Sequence, residues 1–315
     1  MSGRTSIILG SRGSELALWQ TRWVQHELTR LHPTLNIKVQ VIKTQGDKIL
    51  DAPLSKIGDK GLFTKELERA LLDHRVDIAV HSLKDIPTQI EEGLTIAAIC
   101  ERENVSDVFI SHPNRKHAHL ADVPLGGTIA TGSLRRKCQL LRIRPDLEIA
   151  DIRGNLGTRI EKLAASPWDG MLLAKAGVSR LGRSELISEV LSPQEFLPAV
   201  GQGALAIETR KKDDKVVLLL HFLDHLATRR ATLGERALLR RLEGGCQIPI
   251  GAYGRIEGDT FKLDAFIGSL DGKRSVRSSI EGSPDASEQL GVTLAEKLLA
   301  NGGEAILEEI RQVSA

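Results

Sequence analysis

The chain has 315 residues, 41% of them hydrophobic, and its 43 Lys and Arg nearly balance its 41 Asp and Glu for a net charge of +2. That length exceeds one comfortable core and predicts two or three domains, while the balanced charge argues against a general nucleic-acid or membrane binder. Three widely spaced cysteines, Cys100, Cys138 and Cys246, form no CxxC pair and fit a reducing compartment better than a disulfide framework. There is no signal-peptide pattern and no apolar run near 18 residues, which predicts a cytoplasmic protein, or a stromal one if an organelle transit peptide has been removed. No His, Cys and Asp residues have metal-ligand spacing.

In chain order, Ile7 to Gly10 reads as a short buried strand, and Ser14 is placed to cap a helix whose apolar stripe is Leu16, Trp19, Trp23 and Leu28. Ile37, Val39 and Val41 alternate with polar residues, as in a half-exposed strand. The stretch from Gln45 to Gly61 lacks periodicity and predicts a mobile loop. Thr64 then caps a helix with Glu66 and Glu68 in its first turn and Leu67, Ala70, Leu71 and His74 on one face. Asp77 to His81 is the next strand. A second run starts near Asp107, with strands at Thr128 to Ala130, Leu147 to Ile149 and Gly170 to Leu173, and with helices starting near Ser133 and Asn155. This alternation predicts mostly parallel sheets with helices on both faces. Gly203 to Thr209 is a strand placed to return to the first sheet.

Beyond Asp213 the pattern changes. A helix from Thr228 to Leu242 buries Ala231, Ala237, Leu238 and Leu242, and Gly244-Gly245 ends it. Cys246 follows on a short loop stiffened by Pro249, a setting that suits either a displayed thiol or a small buried side chain. Strands at Ile250 to Glu257, Thr260 to Ser269 and Arg274 to Glu281 are joined by the turn signals Gly258-Asp259 and Asp271-Gly272. Helices over Asp285 to Leu299 and Glu304 to Gln312 complete a small α+β domain.

Four segments put polar groups at strand ends or helix starts, where open α/β sheets bind ligands. They are Gly10 to Ser14 with Arg12, Ser82 to Asp85 with Lys84, Thr131 to Arg136 with Ser133 and Arg135, and Arg153 to Arg159. Arg135 and Arg136 at a helix start oppose the dipole, a local cost that an anionic ligand would offset. Paired arginines suit carboxylates, which they grip with two parallel hydrogen bonds. Taken singly, Arg180 reads as a surface side chain, Lys84 and Asp85 as an exposed ion pair, and Lys56 and Lys60 as solubility residues.

Together these segments resemble the porphobilinogen deaminase (hydroxymethylbilane synthase) family over nearly the whole chain. The resemblance rests on Leu16 to Gln20, Lys60 to Glu66, His81 to Pro87, Ser133 to Arg136, Arg153 to Arg159, Gly201 to Gly203 and Gly244 to Cys246, all in family order. One departure is Gly132, where a serine is common. The resemblance implies a transferase that joins four porphobilinogen molecules head to tail, releases ammonia at each step and frees hydroxymethylbilane in tetrapyrrole (haem) biosynthesis. It implies a dipyrromethane cofactor held by a thioether to Cys246 and a catalytic carboxylate at Asp85. Carboxylates of cofactor and substrate would be held by Arg12, Ser14, Ser82, Lys84, Thr131, Ser133, Arg135, Arg136, Arg153, Arg159 and Arg180, with Lys56 and Lys60 on a lid.

It further implies two periplasmic-binding-protein-like α/β domains, 1–104 with 203–222 and 105–202, and a small C-terminal α+β domain, 223–315, with a three-stranded antiparallel sheet. The partner is the small molecule porphobilinogen, with no nucleic acid and no membrane, and the chain is expected to be a monomer. Two other readings remain at this point. A non-enzymatic solute-binding module would also suit a basic cleft, and a cysteine hydrolase would use Cys246, though no histidine lies in a recognisable partner motif. Ammonia release from porphobilinogen separates these readings.

Overall fold

The computed structural model describes residues 6–48, 61–243 and 248–314. Its strands, in chain order, are β1 (Ser6–Ser11), β2 (Asn36–Val41), β3 (Ile78–Ser82), β4 (Leu94–Ile99), β5 (Asp107–Ser111), β6 (Thr128–Ala130), β7 (Glu148–Ala150), β8 (Gly170–Ala174), β9 (Glu189–Val190), β10 (Leu205–Arg210), β11 (Ile250–Glu257), β12 (Thr260–Gly268) and β13 (Ser275–Gly282). The chain divides into two compact units. Among the described residues, one comprises 6–48, 61–103 and Gly203–Arg229, the other Asn104–Gln202, 230–243 and 248–314.

The first unit is built on a five-stranded sheet of order β2-β1-β3-β10-β4. β1 runs parallel to β2 and β3, whereas β10 lies antiparallel between β3 and β4. The return of this late segment to the first sheet was legible in its sequence; its reversed direction was not. On one face, Ile7, Leu9, Ile78, Val80 and Ile207 pack against Val24 and Leu28 of the helix Glu15–Leu31. That helix is capped as its sequence predicts, because the Ser14 hydroxyl accepts from the Ala17 N–H.

The helix's buried face differs from the apolar stripe. Ala17, Gln20, Thr21, Val24 and Leu28 are buried, while Trp19 is 36% exposed. The reason is polar. Gln20 Nε2 donates to Ser82 Oγ at 2.9 Å and Thr21 Oγ1 donates to Ser11 Oγ at 2.9 Å, so both side chains are buried with partners.

The opposite face carries the helix Lys65–Leu72 through Leu67, Ala70 and Leu71. Thr64 does not cap it through its side chain: its own ψ of −34° is already helical, which directs the hydroxyl away from the first-turn N–H groups. His74 lies beyond the helix end with a left-handed φ of 57°, not on the apolar face. Of the stretch read as a mobile loop, Gln45–Lys48 forms a helical turn, and residues 49–60, with Lys56 and Lys60, lie outside the described residues.

In the second unit, a five-stranded sheet of order β7-β6-β8-β5-β9 repeats the same scheme, with β5 as the reversed strand. Each reversed strand follows the edge strand of the other sheet in sequence, β5 after β4 and β10 after β9. Phe109 of β5 is fully buried beside Ile129, Leu140 and Leu172; burial of one such side chain contributes roughly 1.5–3 kcal/mol.

The same unit holds the antiparallel sheet β11-β12-β13. Leu263, Ala265 and Ile267 of β12 pack with Leu238 and Leu242, and with Leu294, Leu298 and Leu307 of the two C-terminal helices, Ser287–Leu298 and Glu304–Ser314. Ala231, Ala237, Leu238 and Leu242 are buried as their spacing predicts. Glu235 on the helix Leu226–Arg241 is fully buried, and its two oxygens accept from the Gly201 and Gly254 N–H groups, each at 2.7 Å. Among the described residues, no helix is long and apolar enough to cross a membrane.

Candidate active site

At the C-terminal ends of β1 and β3 the first unit opens a recess lined by Arg12, Ser14, Gln20, Phe63, His81, Ser82 and Asp85, among others. The geometry follows from short-range signals. β1 ends at Ser11, and the chain turns into the Ser14-capped helix, which leaves Arg12 at the rim. β3 ends at Ser82 and tightens into a single 3₁₀ turn, Leu83–Asp85; Leu83 is buried and Asp85 half-buried beside the opening. The Arg12 guanidinium stacks 4.1 Å from the centre of the Phe63 ring, a cation–π contact that orients the charge. Gln20 ties Ser82 in place. Arg12, Ser14, Ser82 and Asp85 therefore converge; Lys84 is exposed and is not part of the lining.

The second unit presents a basic edge at the corresponding strand ends. Ser133 caps the helix Leu134–Ile143, its hydroxyl accepting from the Arg136 N–H, and the Thr131 hydroxyl accepts from the Ser133 N–H. Asn155 caps the helix Leu156–Ala164 through the Thr158 N–H. Gly154 before it has a φ of +119°, and a Cβ there would come within 2.9 Å of the Thr158 side chain; only glycine turns the chain here without strain. Arg153 and Arg159 flank this turn, with Arg159 Nε donating to the Gly154 carbonyl at 2.8 Å. Arg180 ends the short helix Lys175–Arg180 after β8.

Arg135 and Arg136 are not open rim residues. Both are buried around Asp107, which is fully buried on β5. Arg135 Nη1 donates to Asp107 Oδ2 at 2.7 Å and to the Leu197 carbonyl at 2.7 Å. Arg136 Nε and Nη2 donate to Asp107 Oδ1 at 3.1 and 2.7 Å, and Gln202 Nε2 adds a bond to the same oxygen at 2.9 Å. Burial alone would raise the Asp107 pKa, but the two guanidinium groups hold its carboxyl far below the usual carboxylate range. Two positive charges around one negative charge leave this cluster a net cation. Sequence reading missed Asp107 because a lone aspartate beginning an apolar strand carries no motif; it missed Phe63 and Gln20 because each acts through a neighbour.

The donor set fits a group rich in carboxylates. Arg153 Nη1 and Arg135 Nε are buried N–H groups with no hydrogen-bond partner among the described residues, and an acidic ligand supplies such acceptors. Cys246 lies in 244–247, outside the described residues. Cys100 and Cys138 are buried, and burial, with Asp271 nearby, pushes the Cys138 thiol up to about 11. Among the described residues no group of His, Cys, Asp and Glu is arranged to hold a metal ion.

Polar groups and arginines at the strand ends of α/β sheets suit small polyanions. Comparison with known proteins narrows this. Residues 7–218 match the family described as "Porphobilinogen deaminase, dipyromethane cofactor binding domain", and residues 230–300 match "Porphobilinogen deaminase, C-terminal domain". The porphobilinogen deaminase of Carboxydothermus hydrogenoformans is 52% identical over 98% of this chain and 98% of its own, and that of Desulforamulus reducens 49% over 97% and 98%. Among solved structures, the BvgS VFT2 domain of Bordetella pertussis aligns over 69% of this chain and 86% of its own with a TM-score of 0.44 and 14% identity. The chain belongs to the porphobilinogen deaminase family, transferases that polymerise porphobilinogen in tetrapyrrole synthesis.

Proposed function

We propose that this chain joins four porphobilinogen molecules into hydroxymethylbilane with Asp85 as its catalytic carboxylate. The carrying observation is that Asp85, Arg12, Ser14 and Ser82 line one recess at the strand ends. Loss of ammonia leaves positive charge on the substrate's pyrrole and methylene. The half-buried Asp85 carboxylate, fixed by the 3₁₀ turn, offsets that charge and takes hydrogen bonds from pyrrole N–H groups. Arg12 is held for a carboxylate by its stacking on Phe63, with Ser14 and Ser82 adding hydroxyl contacts.

A dipyrromethane linked through a thioether to Cys246 supplies the primer on which the pyrrole chain grows. Arg153 and Arg135, with their unpartnered donors, and Arg136, Arg159, Arg180, Thr131, Ser133 and Lys84 hold its acetates and propionates and those of the substrate. In this reading Arg135 and Arg136 act from the Asp107 cluster, which fixes their direction and contributes net positive charge. Lys56 and Lys60 belong to a lid. The division into 1–104 with 203–222, 105–202 and 223–315 is part of the same proposal and is supported by three separate sheets. So are a monomeric state and a cytoplasmic location.

The test is the intact mass of the denatured protein beside a Cys246→Ser variant, before and after incubation with porphobilinogen. An excess of two linked pyrrole units, absent in the variant, is expected; no adduct after incubation overturns the assignment.

A further inference from the structure

Behind the recess lies a cluster of ionisable side chains that the chemistry above does not use. His81 lines the recess, yet its side chain is 3% exposed, and its Nε2 lies 3.2 Å from Oε2 of Glu208, which is 0% exposed. The register of β3 and β10 pairs His81 with Ala206, so Glu208 is the next residue on that face. Glu68, on the helix Lys65–Leu72 that covers the same face, is buried as well. Neither Glu208 oxygen makes a hydrogen bond of ordinary geometry among the described residues.

A buried carboxylate without hydrogen bonds is costly as an anion unless a cation faces it. The His81 imidazole, 3.2 Å from Glu208 Oε2, is placed to face it. A second carboxylate in the cluster strengthens the effect: burial, with the Glu208 charge adding to it, raises the Glu68 pKa above the ordinary glutamate range. Arg12 and Asp85 line the recess together with His81, and Glu91 adds its charge near Glu68.

We propose that His81, Glu208 and Glu68 form a buried proton store, with the imidazole as its port to the recess, a role that rests on the activity proposed above. Coupling of two pyrroles forms a carbon–carbon bond and breaks the carbon–nitrogen bond of the aminomethyl group, whose electron pair leaves on nitrogen. Ammonia leaves first; once the new bond has formed, the proton displaced from the pyrrole carbon passes to the neutral imidazole, is held between His81 Nε2 and Glu208, and is released to the freed ammonia, giving ammonium. No further reactant is needed. His81 and Glu208 are thus proton-holding residues behind Asp85, distinct from the carboxylate-binding set.

The test follows the His81 imidazole by NMR across pH in the full chain carrying Cys246→Ser, so that the readout is independent of turnover. Removing the neighbouring carboxylate in Glu208→Gln is expected to lower the imidazole midpoint. In the Cys246 protein the acid limb of kcat against pH moves to lower pH with it, because the imidazole must be neutral to accept a proton. An unmoved midpoint overturns the pairing, and a lowered midpoint with an unmoved acid limb overturns the store. If Glu208→Gln does not fold, Glu68→Gln gives the same two readings in the same directions. Loss of pyrrole adduct formation in the unsubstituted protein would instead overturn the proposed activity while leaving the His81 titration intact.

Discussion

Arg136 holds Asp107 through two nitrogens on one carboxylate oxygen, Nη2 at 2.7 Å and Nε at 3.1 Å, with both side chains shielded from water. The carboxylate is thereby kept ionised at a depth where burial opposes it. Its folded pKa is depressed, so the stability it contributes is complete above the unfolded value of about 3.9 and drains as pH falls from there toward the folded value. Urea unfolding between pH 3 and 7 is expected to show this loss below about pH 4 in the unsubstituted protein. Asp107→Asn should flatten that limb and lose about 3–5 kcal/mol at pH 7, since two buried guanidinium groups are left uncompensated. Equal stability at pH 7 would mean that the cluster does not support the fold.

Asp85→Ala should leave the unfolding curve almost unchanged, because the side chain is half-buried and the turn is set by Leu83. Turnover should fall by about 10²–10³, the scale for removing one preorganised group that faces developing charge. Asp85→Glu should retain more, since the charge survives and only its position changes. The rate of ammonia release at saturating porphobilinogen measures both; an alanine variant retaining a tenth of normal kcat contradicts the assignment.

Thiol labelling separates the three cysteines. Cys100 and Cys138 are buried, and the raised pKa of Cys138 leaves almost no thiolate at neutral pH. In the native protein both should resist a mass-tagged alkylating reagent at pH 7.5 for hours. With the Cys246 thioether formed, no label is expected; without it, one label is expected, at Cys246. Fast labelling of Cys138 in folded protein would contradict its enclosed position.

The packing around Gly132 has a consequence. A Cβ at this position would lie 2.7 Å from the Ile152 carbonyl oxygen and 3.1 Å from Asp151 Oδ1. Gly132→Ser therefore requires backbone movement next to the Ser133 cap, and a loss of about 1–3 kcal/mol is expected, as for other overpacked sites. A variant of unchanged Tm would show that the 151–152 segment yields without cost.

Much of the fold was legible because its signals are local. Alternation located β2, and the turn pairs Gly258-Asp259 and Asp271-Gly272 bounded β12. Hydroxyl and amide caps at Ser14, Ser133 and Asn155 located the starts of three helices. What failed was information carried by partners distant in sequence. Gln20 and Thr21 are polar yet buried, because Ser82 and Ser11 receive them, and a search for apolar periodicity places the inner face of that helix one step away. Strand direction is equally non-local, since β10 resembles any short apolar strand until β3 and β4 lie on either side of it. Arg12, Ser14, Ser82 and Asp85, which share the recess, stand out in the sequence as motif residues. Asp107 and Glu208 do not, because each acts on a side chain remote in sequence and carries no pattern of its own.

The insertion of β10 between β3 and β4 also constrains how the chain is made. Leu205 pairs with Ser82 and Ile207 with Val80, so roughly 120 residues must be synthesised after β3 before its neighbour exists. At about 5–20 residues per second that is roughly 6–24 s during which a nascent chain carries β3 with one edge open. Throughout that interval Glu208 does not yet exist, and His81 stands at an unpaired strand edge. The ribosome-bound chain is therefore most prone to misassociate in that window.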